Sequence, residues 1–485
     1  MKLLLSTVAG LLLAVAAGQG HADTLLAYPA PPVPMVYAAH NDAYTVRVRT
    51  PGGEWQDLYE YNIRVDWDKP QDASMVYFDF TGKVEVEVQK NNGTFQTVDV
   101  LPRKPDLKLT RKGKIVSFTL EKPGRFSLQF DDDRLHNIHI LAGAPPAAKP
   151  VGDNVRYYGP GLHNPDDGGK IFRPRSGDTI YLDGGAILNG NFDLRGVENV
   201  RIMGRGLIYN TGRAVEIDGS KNVSLEDFIV VNDDKEAAAR ISNIRHSVNV
   251  KLTGITGFTS GKWSDGFGIS TSQHVYVDQA YLRTSDDAVV VYAVNDCPIC
   301  ATKTDTAPSA ESYDTYDIRV TNSTFWNDVA HAMYVGHFGD NARPRTIHSV
   351  TFDNIDVLNL DEDDEPWEGA MAIFSGDSTL IKDISFSNIR VERIEEGKLI
   401  HIVAGNSSRY NKSAGRGVEN VILRNIAFTG EGMPSASIIS GLSESTAVKN
   451  VRIENLTIGG RKVQSPESGN IKLGPFVTDF SITHP

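Results

Sequence analysis

Residues 221–232, KNVSLEDFIVVN, contain the pattern that decides the fold of this chain. Apolar and polar residues alternate over a few positions, an acidic turn follows, and a second short apolar run ends the unit. The same unit returns as VNVKLTGITGF, QHVYVDQAYLR, YDIRVTNSTFWN, HSVTFDNIDVLN, KDISFSNIRVER, ENVILRNIAFTG and KNVRIENLTIGG. Alternation with a period of two indicates strands, and a strand-and-turn unit that repeats without helical periodicity indicates a solenoid.

The spacing of these units predicts one coil per unit. The equivalent apolar positions are Val200, Val223, Val250, Val275, Ile318, Val350, Ile384, Val421 and Val451, which are 23 to 43 residues apart. We therefore expect a right-handed parallel β-helix over residues 150–485. The extra length at 291–316 and 358–369 should form loops on one side of the coils, where they could wall a groove.

The preceding part of the chain has a different pattern. Short alternating strands such as YTVRVRT and GKIVSFTLE are separated by turn residues, and a Pro-, Ala- and Gly-rich connector follows at 142–154. This predicts an N-terminal β-sandwich over residues 23–149, so that the fold class is all-β. We expect the sandwich to cap the end of the β-helix, with carbohydrate binding as the alternative.

Composition and targeting limit the functional classes. The chain has 485 residues and a formal net charge of -12, which argues against nucleic acid or an anionic membrane as partner. Residues 1–22 have the pattern of a secretory signal peptide, which predicts an exported protein, periplasmic or secreted. The chain has two cysteines, Cys297 and Cys300, which are too few for a structural zinc site and predict a small disulfide in a loop.

Three carboxylates and a histidine share one position in successive repeats. In WSDGFGIS (263–270), RTSDDAVVVY (283–292) and HAMYVGHFG (331–339), apolar residues follow Asp265, Asp287 and His331 at offsets of two and four. If the repeats stack, these three side chains form a column, with Asp286 beside it. The outward positions of the same strands carry small residues, which predicts an open groove.

This column predicts acid–base chemistry on a glycosidic bond. One carboxyl group must protonate the leaving oxygen while another activates water, and closely spaced carboxylates have pKa values that are pushed apart. Asp286, Asp265 and Asp287 can supply these groups, and His331 can tune their protons or hold a hydroxyl. No cofactor or metal is required; the acidic run 361–365 could bind calcium, although a solvated charged loop is favoured.

Aromatic and histidine side chains near the column are candidates for binding a sugar. Trp263, two residues before Asp265, is the preferred stacking platform. The other candidates are Tyr292, Tyr334, His337, Phe374 and Trp367.

The segments SDGFGI, SDDAVVV and AHAMYVG resemble the signature strands of the polygalacturonase clan, glycoside hydrolase family 28. An N-terminal sandwich before such a helix is more similar to the dextranase and isopullulanase family, glycoside hydrolase family 49, of the same clan. The resemblance implies an inverting hydrolase in which Asp286 is the general acid while Asp265 and Asp287 activate the water.

A departure from the family pattern bears on the substrate. Where polygalacturonases carry the Arg and Lys that bind a uronate carboxylate, GAMAIFSG (369–376) has Ala372 and Phe374. We therefore expect a neutral poly- or oligosaccharide, with dextran- or pullulan-like glucans favoured. The alternatives are a polygalacturonase-like hydrolase of an acidic glycan, a polysaccharide lyase, and a non-catalytic glycan-binding β-helix. The lyase is disfavoured because the column has no neighbouring Arg or Lys in the sequence.

Overall fold

The computed structural model describes residues 23–484 except 105, 147, 210–211, 234–237, 295–313 and 363–368. The predicted signal peptide, the Cys297–Cys300 pair, Trp367 and residues 363–365 of the acidic run lie outside the described residues. Within the described part of the chain, no helix is long and apolar enough to cross a membrane.

Residues 24–143 form two mixed or antiparallel sheets that pack face to face. One sheet contains Thr24–Ala27, Tyr61–Val65, Gln71–Thr81, Val98–Leu101, Gly124–Phe130 and Ile138–Gly143. The other contains Tyr44–Arg49, Gln56–Asp57, Val84–Lys90, Thr110–Lys112 and Ile115–Leu120. Alternate residues such as Val46, Val86 and Phe126 meet between the sheets, as expected for a sandwich. A one-turn helix, Met35–Ala38, connects the first two strands.

From Val155 onward the chain winds into a parallel β-helix with two stacked sheets. The sheet that carries the candidate site, which we name the site sheet, contains Ile171–Phe172, Asn191–Arg195, Arg213–Asp218, Arg240–Arg245, Phe267–Ser270, Val289–Tyr292, Met333–Gly336, Met371–Ser375, Ile400–Ala404, Ser437–Ser440 and Ile471–Leu473. The second, the wrapping sheet, contains Val155–Tyr158, Gly161–His163, Thr179–Leu182, Ala186–Leu188, Glu198–Gly204, Leu207–Tyr209, Lys221–Glu226, Ile229–Asp233, Val248–Thr253, Thr256–Ser260, Gln273–Asp278, Tyr281–Thr284, Thr315–Asn327, Thr346–Asn359, Leu380–Val391, Gly417–Phe428, Val448–Ile458, Arg461–Lys462, Val477–Thr478 and Ser481–Thr483. A single turn of 3₁₀ helix, Glu467–Gly469, lies near the end.

The predicted register of the repeats is confirmed strand by strand. Val200 pairs with Val223, Val223 with Val250, and Val250 with Val275. The later equivalents pair in the same way through Ile318, Val350, Ile384, Val421 and Val451. Each repeat therefore forms one coil, and the fold is the expected all-β parallel β-helix.

Asparagines at the turns help to hold the coils in register. Asn199, Asn222 and Asn249 all have positive φ angles, which asparagine tolerates better than most residues. Their side-chain amides are hydrogen-bonded from coil to coil, at 2.9 Å and 2.6 Å. Asn388, Asn425 and Asn455 form a second such ladder. The recurring asparagine in the sequence unit thus supplies both the turn conformation and a contact between repeats.

The sandwich packs against the flank of the β-helix, so the expectation that it caps the end was wrong. Ile63, Met75 and Tyr77 of the sandwich share a buried apolar cluster with Ile229 and Phe258 of the wrapping sheet. The outer face of that sheet carries apolar residues at several consecutive coils, and burying each one favours the docked arrangement by about 1.5–3 kcal/mol. This side-by-side packing brings one sandwich loop to the candidate site.

Candidate active site

The site sheet places the predicted column where the register indicated. Phe267 pairs with Val289, and Val289 pairs with Met333, so Asp265, Asp287 and His331 precede equivalent positions on three neighbouring coils. The paired apolar residues lie in the β-helix core. Because the inward apolar residues fix the register of each strand, the residue just before the strand has a fixed position relative to the neighbouring coils.

The outward face of these strands is not the open floor that the small residues predicted. Ala288 and Ala332 turn into the core instead. Outside, Val290, Tyr292, Tyr334 and Phe374 pack into a separate buried cluster. These bulky side chains fill much of the space above the sheet, and Tyr292 and Tyr334 also border the cavity over the strand entrances.

The three carboxylates form a compact group. One oxygen from each of Asp265, Asp286 and Asp287 lies within 4.8 Å of the others. The Asp287 backbone N–H donates to Asp286 Oδ1 at 2.9 Å. Asn327 Nδ2 donates to the backbone oxygens of Asp286 and His331, at 3.2 Å and 2.6 Å. Asn327 therefore joins the turns that carry the acids and the histidine.

The surroundings raise the pKa of two of these acids. Burial raises the pKa of Asp265; the Arg240 guanidinium lowers it and the Asp287 charge raises it again, with a net value of about 7. Burial and the charges of Asp265 and Asp287 raise the pKa of Asp286 well above its usual range. Asp286 nevertheless keeps partial exposure toward the cavity. Asp286 therefore holds its proton more tightly than an ordinary aspartic acid does, as a general acid must.

His331 lies between two carboxylates. Its Nδ1 is 2.7 Å from Asp287 Oδ1 and 3.5 Å from Glu362 Oε2, and its ring stacks on Tyr334 at 4.2 Å. Glu362 is 3% exposed, and its charge also raises the pKa of Asp286. The sequence interpretation placed Glu362 in a charged loop and missed this role, because a local run of acids does not show which member turns inward.

Arg240 extends the column by one coil, contrary to the expectation that no Arg or Lys adjoins it. Its Nη2 lies 2.7 Å from Asp265 Oδ2, and it is 3% exposed. Ser242 pairs with Phe267, so Arg240 occupies the strand-entrance position before Asp265. In the sequence, Arg240 precedes Ser242 by two residues, just as Asp265 precedes Phe267. The polar Ser242 interrupts the apolar alternation by which the strands were aligned, so this equivalence was missed.

The same three aspartates are the residues that could hold a metal ion among those described. Their oxygens are the ligand type that Mg²⁺ or Ca²⁺ prefers. However, the buried Arg240 guanidinium already lies against Asp265, and Asp286 holds its proton more tightly than an ordinary aspartic acid does. Both features lower the affinity of the group for a divalent cation.

A cavity of about 570 Å³ opens over the carboxylates. Its described lining includes the predicted Asp265, Asp286, Asp287, His331, Trp263, Tyr292, Tyr334 and His337. Phe374 is outside that lining and is buried in the outer cluster, so its proposed contact with a sugar has no structural basis. The lining also includes residues that the sequence interpretation did not select, namely Trp67, Asp68, Lys69, Arg240, Lys262, Glu362, Glu396, Arg409 and Tyr410.

Two of the predicted binding residues have distinctive local structure. Trp263 has a φ of 57°, a conformation that is costly for a bulky side chain and that is concentrated at functional sites. His337 Nδ1 is hydrogen-bonded to the Tyr334 hydroxyl at 2.8 Å, and its ring stacks on Tyr410 at 5.1 Å. Burial and the nearby His331 lower the pKa of His337 to about 3, so its ring is neutral.

The carboxylates that this parallel β-helix groups at its strand entrances are the chemical groups that glycosidic hydrolysis uses. The family model described as "Glycosyl hydrolases family 28" matches residues 153–473, and the chain belongs to that family. It is therefore an O-glycosyl hydrolase. No curated protein matches the chain by sequence.

One solved structure supports the same fold. Dex49A from Penicillium minioluteum is similar with a TM-score of 0.60 and 14% identity, over 91% of this chain and 94% of that one. This similarity includes the layout of both domains and shows the fold alone. The family 28 exopolygalacturonase of Yersinia enterocolitica aligns with a TM-score of 0.43 and 12% identity, over 82% of this chain and 96% of that one.

Proposed function

We propose that this protein is an exported, inverting glycoside hydrolase that cleaves α-linked neutral poly- or oligosaccharides, with dextran- or pullulan-like glucans as the favoured substrates. The observation that carries the proposal is the group of three carboxylates within 4.8 Å, in which Asp286 faces the cavity and has a raised pKa. An acid that remains protonated beside ionisable carboxylates is what glycosidic hydrolysis requires.

In the proposed reaction, Asp286 donates its proton to the glycosidic oxygen as the bond from that oxygen to the anomeric carbon breaks. Water attacks the anomeric carbon and loses a proton to Asp265 or Asp287. One water is consumed, and the two products gain a hydroxyl group each. His331, which is hydrogen-bonded to Asp287 at 2.7 Å, orients that carboxylate.

The charges in the cavity support a neutral substrate. Ala372 and Phe374, at the positions where polygalacturonases carry Arg and Lys, are buried and apolar. Among the described lining residues, seven carboxylic acids exceed the four basic residues Lys69, Arg240, Lys262 and Arg409. These residues leave no excess of positive charge to attract an anionic polymer, whereas the hydroxyl groups of a neutral sugar can hydrogen-bond to either sign of charge.

The spacing of the acids favours a second stereochemical candidate. Two-carboxylate inverting glycosidases hold their carboxyl groups about 6.5–9.5 Å apart, and retaining ones about 5–5.5 Å. Single oxygens of the three acids lie within 4.8 Å of one another, a close approach that the retaining arrangement also has. The resemblance to family 28 implies inversion, and a third carboxylate permits a water-activating pair that the two-carboxylate rule does not describe.

The proposed export rests on the signal-peptide pattern of residues 1–22. Expression of the full-length chain in a Gram-negative host, followed by N-terminal sequencing of the periplasmic and secreted fractions, tests it. A processed form that begins near Asp23 supports export, and an unprocessed cytoplasmic form contradicts it.

The test of function is a reducing-sugar assay against dextran, pullulan, other neutral glycans and polygalacturonate, with proton NMR of early products. Asp286→Asn is the inactive control. Release of reducing sugars with inverted anomeric configuration from a neutral glycan supports the proposal. Products with retained configuration would show that the enzyme is a retaining hydrolase. Hydrolysis confined to polygalacturonate contradicts the neutral substrate. An unsaturated product that absorbs ultraviolet light indicates a lyase, and binding without turnover indicates a non-catalytic role.

A further inference from the structure

One loop of the N-terminal sandwich reaches the catalytic cavity of the β-helix. Trp67, Asp68 and Lys69 follow the strand Tyr61–Val65 and line the cavity together with the three aspartates. The Trp67 side chain is 40% exposed. We propose that Trp67 is a substrate-binding residue and that the sandwich builds one wall of the glycan site. This inference rests on the proposed glycan-hydrolase function and assigns it a binding residue from the other domain.

The loop has a defined shape rather than a loose one. Asp66 has a φ of 55°, and its Oδ1 accepts the backbone N–H groups of Asp68 and Lys69 at 3.0 Å and 2.9 Å. An aspartate that accepts hydrogen bonds from the following backbone stabilises a tight turn. Trp67 is therefore presented from the top of a closed turn, which reduces the entropy that substrate contact would otherwise have to overcome.

The turn is tied to the coil that carries the histidine of the site. The Asp66 backbone N–H donates to Asp328 Oδ2 at 3.2 Å, and Arg134 Nη1 lies 2.9 Å from Asp66 Oδ2. Asp328 in turn receives two hydrogen bonds of 2.8 Å from Arg283. Asp328 is three residues before His331, so the position of Trp67 is coupled by buried contacts to the strand entrance at the reacting group.

The chemistry of the loop suits a neutral sugar. An indole presents a broad apolar face, and the axial C–H groups on one side of a glucopyranose ring form a matching apolar face. Asp68 and Lys69 beside it can accept from and donate to sugar hydroxyls. Trp55, elsewhere on the same domain, differs because Arg47 and Arg49 lie over its ring at 4.7 Å and 4.3 Å. It offers a matched control of the same residue type.

The experiment compares Trp67→Ala, Trp67→Phe and Trp55→Ala in the full chain. Steady-state kinetics are measured on the neutral glucan that the wild type cleaves. Binding of an oligosaccharide of that glucan is measured by calorimetry in the Asp286→Asn background. We expect Trp67→Ala to raise KM and Kd about tenfold with little change in kcat, because the contact is made in both the ground state and the transition state. Trp67→Phe should retain much of the binding, and Trp55→Ala should match the wild type.

The outcomes separate this inference from the proposed function. If the wild type cleaves a neutral glucan and Trp67→Ala has unchanged KM and Kd, the inference is wrong while the function stands. If the wild type neither cleaves nor binds any neutral glucan, both are wrong. Trp67→Ala could also bind weakly because it is less stable. If its Tm falls enough to explain the weaker binding, and Trp67→Phe does not restore the Tm, then Trp67 is a structural residue and the inference is wrong.

Discussion

Arg240 Nη2 lies 2.7 Å from Asp265 Oδ2, and both side chains are buried at the base of the cavity. The pair connects two neighbouring coils at the strand-entrance position. The Arg240 guanidinium is the largest of the influences that oppose the effect of burial on the pKa of Asp265, which is about 7. The ionisation of a proposed base is thus set by a residue one coil away.

Replacing Arg240 with glutamine should move the acidic limb of the pH profile of kcat/KM to higher pH. Loss of the guanidinium raises the pKa of Asp265 above about 7, so the carboxylate needed to activate water forms only at higher pH. At a fixed pH below the limb, kcat/KM should fall about tenfold if the pKa of Asp265 rises by about one. Arg245→Gln is the matched control, since Arg245 is buried on the same strand and lies 3.3 Å from Asp218. An equal displacement of the limb in both variants would contradict the assignment.

Asp286→Asn should abolish most turnover without loss of the fold. Removal of the general acid costs about 10²–10⁴ in kcat. Because the pKa of Asp286 is raised in the folded protein, the unfolded chain loses this proton first. The stability that the group contributes is therefore lost as pH rises from its unfolded pKa to its folded pKa. The Tm of the variant, measured by scanning calorimetry, should therefore equal or exceed that of the wild type, with a difference that grows with pH. A folded variant with full activity would exclude Asp286 as the acid.

Glu362→Gln should move the alkaline limb of the same profile to lower pH. The Glu362 charge raises the pKa of Asp286, so its removal lets Asp286 lose its proton at lower pH, and the acid form disappears earlier. Glu396→Gln is a useful comparison because Glu396 also lines the cavity. We expect the limb to move further for Glu362, and equal movement would argue against a specific effect on Asp286.

Arg134→Ala should destabilise the protein by about 3–5 kcal/mol, because it leaves several buried or half-buried carboxylates without their counter-charge. Arg134 contacts Asp66 at 2.9 Å, Asp328 at 3.8 Å and Asp361 at 3.6 Å, and also pairs with Glu395. These acids belong to both domains.

Urea unfolding at several pH values checks this prediction. The loss should be smaller at low pH, where the carboxylates are protonated and need no counter-charge. Arg64→Ala serves as the control, since Arg64 pairs with Asp72 at the surface and such pairs contribute about 0–1 kcal/mol. Equal losses in the two variants would show that the buried network contributes no more than a surface pair.

The sequence by itself determined the solenoid and the order of its coils. The apolar positions from Val200 to Val451 recur once in each strand-and-turn unit, and their pairing from coil to coil is observed throughout. The same period of two placed Asp265, Asp287 and His331 at equivalent strand entrances. Such inferences succeed because successive side chains of a strand point to opposite faces, so the order of residues in the sequence determines which face each one occupies.

Tertiary structure decided which other groups surround those acids. Arg240 was hidden by the polar Ser242, Glu362 by its neighbouring acids, and Trp67 by its place in another domain. Each reaches the cavity through packing between segments far apart in the chain, and the side of the β-helix that the sandwich covers depends on matching apolar surfaces. Local alternation of apolar and polar residues carries no information about contacts between distant segments or between the two domains. The column of acids could therefore be predicted from the sequence, whereas the cavity around it could not.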